Sequence, residues 1–194
     1  GHGLLQAPEM ILEKSRDRAD NWIVYHSALG NTKAIYLNLT DAAATATGFW
    51  NDTSPTSTVW TMGTENSVNN ASQETIAYCF HSVEGYSKVG SYTGNGNADG
   101  TFVYTGFRPA WILMKRSDGT ENWLIYDTER DPHNVTDEAL LPNTSGSSGG
   151  SANAMDILSN GFKFRATSGS LNASGGNYIY LAIASQPFKF SNAR

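Results

Sequence analysis

An internal repeat is the feature that most constrains the fold of this chain. Residues 7–26, APEMILEKSRDRADNWIVYH, return at residues 108–127 as RPAWILMKRSDGTENWLIYD, and at an offset of 101 they share eight of twenty residues. Average residue usage predicts about one match, and the shared residues include an Asn-Trp pair at Trp22 and Trp123. A repeat of this kind predicts a chain of 194 residues built from two copies of one folding unit.

Composition allows a packed core and narrows the classes of partner. Hydrophobic residues make up 39% of the chain and charged residues 16%, with a net charge of -5. No basic cluster could follow a phosphate backbone, so we expect no nucleic-acid partner. No apolar run approaches the roughly 18 residues of a membrane span, so we expect no membrane insertion.

The hydrophobic periodicity is that of β-strands. GFKFRA alternates Phe162 and Phe164 with two cations, and VWTM at residues 59–62 is expected to be its counterpart in the first copy. NYIYLAIAS is apolar on both faces, as in a strand buried on both sides, and TIAYCFHS matches it at an offset of 103. That match aligns the single Cys79 with Ala182, so we expect Cys79 to be buried and chemically inert.

These patterns predict an all-β fold with little helix, because no window of a dozen residues combines helical apolar spacing with caps. We expect two tandem antiparallel sandwich-like repeats, of jelly-roll or lectin-like type, at residues 1–85 and 86–194. Trp22 and Trp123 are expected to superpose as buried residues.

Long phrases in a fixed order also give the chain a family resemblance. They are YCFHSVEGYSKVGSYTGNGNADGTF, FVYTGFRPAWILMKR, NWLIYD, LLPNTS, LSNGFKFR, NASGGNYIYLAIA and PFKFSNAR. Together they resemble a tandem-repeat domain of unassigned chemistry from virion structural and tail proteins of marine bacteriophages. The resemblance implies a virion component, such as part of a tail fibre or another surface appendage. It implies assembly in the host cytoplasm, exposure outside the cell, and no catalytic residues.

The acidic residues do not predict an enzyme. YDTERD carries Asp127, Glu129 and Asp131 along one strand, whereas a glycosidase needs two carboxylates that face each other across the scissile bond. The matching stretch of the first copy, YHSALG, has no acid. We therefore predict a solvated strand end and no catalytic residues.

No metal or cofactor is predicted. The four histidines lack the spacing and the cysteine neighbours of a zinc site. NGNADG (95–100) and DGTEN (118–122) offer oxygen ligands for calcium, but turns require the same residues and neither stretch has the spacing of an EF-hand loop. Turns are therefore the favoured interpretation, and a structural calcium is the alternative.

One stretch without a counterpart in the second copy supplies the candidate binding residues. In FWNDTSPTS, Trp50 is followed by Asn51 and Asp52, and sandwich lectins hold sugars with an aromatic ring flanked by amide and carboxylate groups. These three residues are candidates for binding a cell-surface glycan. Core packing of Trp50 is the competing interpretation.

Three functions are consistent with these patterns. The first is a non-enzymatic structural or adhesive virion module, which oligomerises or binds neighbouring virion subunits. The second is a carbohydrate-binding module. The third, an enzyme that degrades polysaccharide, needs facing acids that the sequence does not provide.

The first copy is shorter at its start than the second. VGSYTGNGNADGTFVYTG precedes the repeat in the second copy, whereas GHGLLQ alone precedes it in the first. We therefore expect the first copy to lack the counterpart of a strand at residues 91–93 and to expose an unpaired sheet edge near Ala7 to Lys14. An upstream segment of a longer parent protein, or a strand from a neighbouring subunit, is expected to fill that edge.

Overall fold

The computed structural model describes residues 1–149 and 154–186, and every strand pair in that part of the chain is antiparallel. The strands are β1 (Met10–Ser15), β2 (Ile23–His26), β3 (Lys33–Tyr36), β4 (Ala44–Thr45), β5 (Thr75–Phe80), β6 (Ser87–Thr93), β7 (Phe102–Tyr104), β8 (Pro109–Arg116), β9 (Leu124–Asp127), β10 (Met155–Leu158), β11 (Gly161–Phe164) and β12 (Asn177–Ala184). The described residues form two helices of four residues each, α1 (Thr47–Trp50) and α2 (Gly169–Asn172). The predicted all-β class is confirmed.

The chain divides into two compact units, Gly1–His81 (unit 1) and Ser82–Arg194 (unit 2). Unit 1 contains one five-stranded sheet with the strand order β4-β3-β2-β1-β5. In that sheet Ile11 lies opposite Tyr25 on one side and opposite Cys79 on the other. One core cluster of unit 1 contains the buried residues Ile11, Ile23, Tyr25, Ala34, Trp50 and Val68.

Unit 2 contains two sheets that share one core. One sheet has the strand order β6-β12-β8-β9, and the other has the order β10-β11-β7. Tyr92 of β6 stacks on Tyr178 of β12 at 4.7 Å between ring centroids, and it also contacts Phe164 of β11 at 4.8 Å. Phe162 and Phe164 are completely buried, which confirms the alternation predicted for GFKFRA.

The counterpart of the GFKFRA strand, β11, was predicted at residues 59–62, and that prediction is wrong. These residues have no strand structure. A tight turn leads into them, in which the Thr56 amide donates to the Val59 carbonyl at 2.8 Å. Trp60 packs against the core of unit 1 from a loop.

The two equivalent tryptophans also differ in burial. Trp123 is 0% exposed, as predicted. Trp22 is half-buried, so the prediction for Trp22 is wrong. Its ring stacks on Tyr78 at a centroid distance of 6.3 Å, on the side of the sheet where Tyr78 is itself exposed.

Both units hold the backbone of these tryptophans with the same hydrogen bonds. The Trp22 amide donates to Asn38 Oδ1 at 2.9 Å, and the Trp123 amide donates to Asn143 Oδ1 at 3.0 Å. In each unit the same asparagine donates from Nδ2 to the asparagine that precedes the tryptophan, at 2.8 Å. The matching sequence positions therefore make matching bonds.

A lysine anchors the first hairpin turn of each unit. Lys14 Nζ donates to the carbonyl of the next residue at 2.6 Å and to that of Arg18 at 2.7 Å. Lys115 Nζ donates to the carbonyl of the next residue at 2.6 Å and to that of Gly119 at 3.1 Å. The turn predicted at Asp118-Gly119 is confirmed, since the backbone bends at residues 117–119, directly after β8.

The Asn- and Gly-rich loop after β6 is organised by one buried side chain. Asn172 is 0% exposed, and its Nδ2 donates to Asn95 Oδ1 at 2.9 Å and to the Asn97 carbonyl at 2.8 Å. Asp99, in the same loop, forms an ion pair with Lys163 at 2.7 Å. Turn hydrogen bonds and an ion pair thus occupy oxygen atoms that were considered for calcium.

Candidate interaction site

The outer edge of β5 is the candidate site of unit 1. Within residues 1–149 and 154–186, β5 pairs with β1 and no strand pairs with its other edge. Its counterpart in unit 2 is β12, because Ile112 lies opposite both Tyr126 and Ala182, just as Ile11 lies opposite Tyr25 and Cys79. β12 is a central strand with β6 on one side and β8 on the other.

The backbone groups on the open edge of β5 follow from its register. The Arg16 amide donates to the Glu74 carbonyl at 2.8 Å, and the hydrogen bonds of an antiparallel pair recur at every second residue. The even-numbered residues of β5 therefore bond to β1. Thr75, Ala77 and Cys79 direct their N–H and C=O groups away from the sheet.

In unit 2 a neighbouring strand pairs with the edge of β12 that is equivalent to the open edge of β5. The Ser117 amide donates to the Asn177 carbonyl at 2.8 Å, in the position of the Arg16 bond. The Ala184 amide donates to the Tyr86 carbonyl at 2.8 Å, so the alternate residues of β12 bond to β6. The edge that is open in unit 1 is therefore the edge that β6 covers in unit 2.

The side chains of β5 leave this edge apolar and unprotected. Ile76 is 36% exposed and Tyr78 is 47% exposed, and both lie on the face that Trp22 partly covers. The strand sequence, TIAYCF, contains no charged residue, proline or glycine. Proteins commonly protect sheet edges with charges, prolines or bulges, and β5 has none of the residues that would do so.

The sequence placed the open edge next to Ala7 to Lys14, and that prediction is wrong. β1 is paired on both sides, by β2 and β5. In unit 2 the strand β6 pairs with β12 rather than with β8, so the corresponding unpaired edge among the described residues of unit 1 is that of β5. The C-terminal stretch PFKFSNAR (187–194), which is a further candidate from the sequence for filling the edge within the chain, lies outside the described residues.

Glu13 is buried on the core side of the sheet, one strand in from the open edge. It is 0% exposed, and neither carboxylate oxygen has a hydrogen-bond partner among the described residues. It lies opposite Ile23 and Ala77, and burial raises its pKa from 4.5 to about 7. Other buried polar atoms without a partner in unit 1 include Ser15 Oγ, Trp60 Nε1 and Gln73 Oε1.

Cys79 lies on the same face of the sheet as Glu13. It was predicted to be buried, and the structure shows it half-buried. Burial is the main cause that raises the pKa of the Cys79 thiol, and the nearby Glu13 carboxylate is a second cause. The raised pKa lowers the thiolate fraction at neutral pH.

The three predicted glycan-binding residues do not lie on one surface. Trp50 is 2% exposed, its ring meets Tyr25 edge-on at 5.6 Å, and its Nε1 donates to the Lys33 carbonyl at 3.0 Å. Asn51 and Asp52 are exposed, with positive φ angles of 50° and 46°. A sugar-binding role for this stretch would therefore rest on Asn51 and Asp52 without the ring.

A cleft in unit 2 was missed by the sequence reasoning. It has a volume of about 330 Å³, and its lining includes Glu84, Lys88, Tyr104 and Thr105. The Tyr104 side chain is 65% exposed, while Val103 beside it on β7 is buried. The alternation in FVY was the available signal, since it directs Phe102 and Tyr104 to the face opposite Val103.

The acids of YDTERD stabilise local structure. Asp127 Oδ1 accepts from the Glu129 amide at 2.9 Å, and Asp131 Oδ2 accepts from Thr136 Oγ1 at 2.8 Å.

In the described part of the chain no group of three or more His, Cys, Asp or Glu side chains could hold a metal ion. No helix among the described residues is long and apolar enough to cross a membrane.

Comparison with known proteins gives one family. Residues 1–187 match the sequence profile of DUF7483, described as a domain of unknown function. The match spans unit 1 and most of unit 2. No curated protein and no solved structure matches the chain.

Proposed function

Since the chain belongs to the DUF7483 family, a domain of unknown function, we propose from its own geometry that it is a non-enzymatic structural and adhesive module. It assembles through the β5 edge of unit 1. One observation carries this proposal: within residues 1–149 and 154–186 no strand pairs with this apolar edge of unit 1, whereas β6 covers the equivalent edge in unit 2. A subunit of a virion surface appendage, which the sequence resembles, is a role that such a module suits.

The two units are, in this proposal, copies of one β module, and unit 2 is the complete sandwich-like form. The matched asparagine bonds to Trp22 and Trp123 support this relation. The strand registers support this relation as well. Glu13 lies opposite Ala77 in unit 1, and Met114 lies opposite Tyr180 at the equivalent positions of unit 2. The described residues of unit 1 then have the pairing of this module without a strand in the place of β6.

Strand addition explains how such a unit would bind a partner. An incoming strand forms main-chain hydrogen bonds along the edge, and alternate side chains provide specificity. The outward N–H and C=O groups of Thr75, Ala77 and Cys79 supply those bonds. Ile76 and Tyr78 supply an apolar contact surface on one face.

A peptide with the β6 sequence, SKVGSYT, tests this function on dilute protein. We expect it to slow amide hydrogen exchange at Thr75, Ala77 and Cys79, because it should pair with β5 as β6 pairs with β12. The control peptide carries proline in place of its glycine, which removes a donor that faces the edge. Equal exchange rates at these three amides with either peptide and without peptide would reject strand addition at β5.

A second candidate function is glycan binding in the cleft of unit 2. The exposed Tyr104 ring beside Glu84 and Lys88 provides a stacking surface next to groups that bind hydroxyls. A glycan array followed by titration calorimetry tests it. We expect Tyr104→Ala to abolish binding and Phe102→Ala to preserve it, since Phe102 is exposed on the same strand but does not line the cleft.

A further inference from the structure

We propose that the strand accepted by the β5 edge is β5 of a second copy of this chain, antiparallel to the first, with a two-fold axis at Ala77. This inference rests on the proposed function and names its partner. The occupant is chosen by the symmetry of the edge itself.

The backbone of β5 is complementary to itself in this arrangement. The outward groups belong to every second residue, Thr75, Ala77 and Cys79, and Ala77 is the middle of the three. An antiparallel copy places Ala77 opposite Ala77, and Thr75 of each copy opposite Cys79 of the other. All three residues on each side then form hydrogen-bonded pairs, and the contact is isologous, as in most closed dimers.

The side chains are complementary in the same register. Ile76 of one copy lies opposite Tyr78 of the other, and the pair occurs twice about the axis. These are exposed apolar residues of β5, at 36% and 47% exposure, and an aromatic side chain opposite a β-branched one is a favourable cross-strand pair. No charged residue lies within Thr75–Phe80, so the paired strands bring no like charges together.

The other face of the paired strands carries small side chains. Thr75, Ala77 and Cys79 point to the core side, where Ala77 and Cys79 pack against the core of unit 1. In unit 2 the equivalent positions are occupied by Tyr178, Tyr180 and Ala182. The small residues of β5 therefore allow two copies to approach without a clash of rings near the axis.

Disulfide trapping tests the register, because Cys79 is the one cysteine of the chain. Cα atoms of a hydrogen-bonded antiparallel pair are about 5.5 Å apart, which is within the range of a disulfide. We expect oxidation to give a covalent dimer with Thr75→Cys, through residues 75 and 79 of opposite copies. We expect the same with Ala77→Cys in a Cys79→Ala background.

The matched control is Thr75→Cys in the Cys79→Ala background. Its thiols lie about 14 Å apart in this register, four residues along the strand, so no covalent dimer is expected. Trapping of this control as efficiently as the other two variants would overturn the register and the two-fold axis.

Sedimentation velocity tests the dimer without a disulfide. We expect wild type to dimerise with rising concentration and Tyr78→Lys to stay monomeric, since two lysines would then border the shared axis. Phe102→Lys, at an exposed position in unit 2 that does not line the cleft, should dimerise as wild type does. Dimers that survive Tyr78→Lys would overturn the proposal.

The two-fold pairing and the proposed function fail separately. A wild-type chain that stays monomeric at every concentration, together with no trapped dimer from the Thr75→Cys and Ala77→Cys variants, overturns the two-fold pairing. If the β6 peptide still protects Thr75, Ala77 and Cys79 in that chain, strand addition stands and the natural donor is another strand. If the peptide also has no effect, both proposals fail.

Discussion

β12 and β5 pair with their neighbours in the same register, yet they bear different residues on the core face. Tyr178 and Tyr180 of β12 stand where β5 has Thr75 and Ala77. The tyrosine rings of β12 have β6 beside them, and Tyr178 stacks on Tyr92 at 4.7 Å. The same backbone pairing thus carries large side chains where a neighbouring strand covers them and small ones where the edge is open.

The two units also differ in a core residue of the neighbouring strand, which is β8 in unit 2 and β1 in unit 1. Met114 is completely buried, and its sulfur lies 3.8 Å from the Tyr92 hydroxyl. Glu13 occupies the equivalent position of unit 1 and is as deeply buried, and its carboxylate has no hydrogen-bond partner in the part of the chain that the structure describes. Unit 2 is therefore apolar where unit 1 keeps an ionisable group, which predicts that unit 1 is the less stable unit at neutral pH.

Replacing the two equivalent tryptophans should separate the units most clearly. We expect Trp123→Ala to lower the free energy of unfolding of unit 2 by about 3 to 5 kcal/mol, the cost of truncating a buried aromatic residue. Trp22→Ala should cost unit 1 about 1 to 2 kcal/mol, because that ring is half-exposed. Hydrogen exchange of β12 and β5 measures each unit separately, and equal losses would contradict the difference in burial.

Glu13→Met, which copies unit 2 into unit 1, should stabilise unit 1 in a pH-dependent way. The unfolded carboxyl loses its proton near pH 4.5, whereas the folded one keeps it to about pH 7, so wild-type unit 1 loses stability as pH rises between these values. We expect a gain of about 3 kcal/mol at pH 8 and no such gain at pH 4. Denaturant melts at both pH values measure it.

The reverse substitution in unit 2 provides the control for this pair. Met114→Glu should make unit 2 less stable as pH rises over the same range, for the same reason. If Glu13→Met were no more stable than wild type at either pH 4 or pH 8, the Glu13 carboxylate would have a partner in solution that stabilises its charged form.

The matching geometry of the two asparagines predicts equal effects rather than different ones. Asn38→Ala and Asn143→Ala each remove the acceptor of a tryptophan amide and a donor to a second asparagine. We expect each to cost its own unit about 1 to 2 kcal/mol. A loss confined to one unit, measured by hydrogen exchange, would contradict the equivalence of the two hydrogen-bond patterns.

The smallest effect is expected at Cys79, whose equivalent is Ala182. Cys79→Ala should cost about 1 kcal/mol or less, and a thiol reagent should label the native protein slowly, because burial raises the pKa of the thiol. Labelling at the rate of a free model thiol would contradict this expectation.

The sequence predicts the strands well because apolar period two is a local signal. GFKFRA and NYIYLAIAS both form strands with the expected faces buried. The location of the open edge could not be predicted in the same way, since strand order depends on long-range pairing. The two copies differ in the residues before the repeated segment, yet the strand with an unpaired edge in the described part of unit 1 is β5, more than sixty residues after β1 begins.

The burial of individual residues in the candidate site could not be predicted from the local sequence either. Trp22 and Trp123 lie in the same local sequence, and the elements that cover them differ. Trp50 was compatible with either a binding surface or the core, and its contact with Tyr25 joins segments that are distant in the chain. Glu13 did have a signal, because MILEKS aligns with WILMKR and sets a carboxylate against a methionine.

The burial of Asn172 affects the choice of expression host. Asn172, Ala173 and Ser174 form an N-x-S glycosylation signal, and the Nδ2 atom that would carry the glycan donates to Asn95 and Asn97 inside unit 2. A eukaryotic secretory pathway that attached a glycan there before folding would prevent the loop from closing over this side chain. Bacterial expression avoids the modification, and Ser174→Ala removes the signal while it leaves the Asn172 amide free to make its hydrogen bonds.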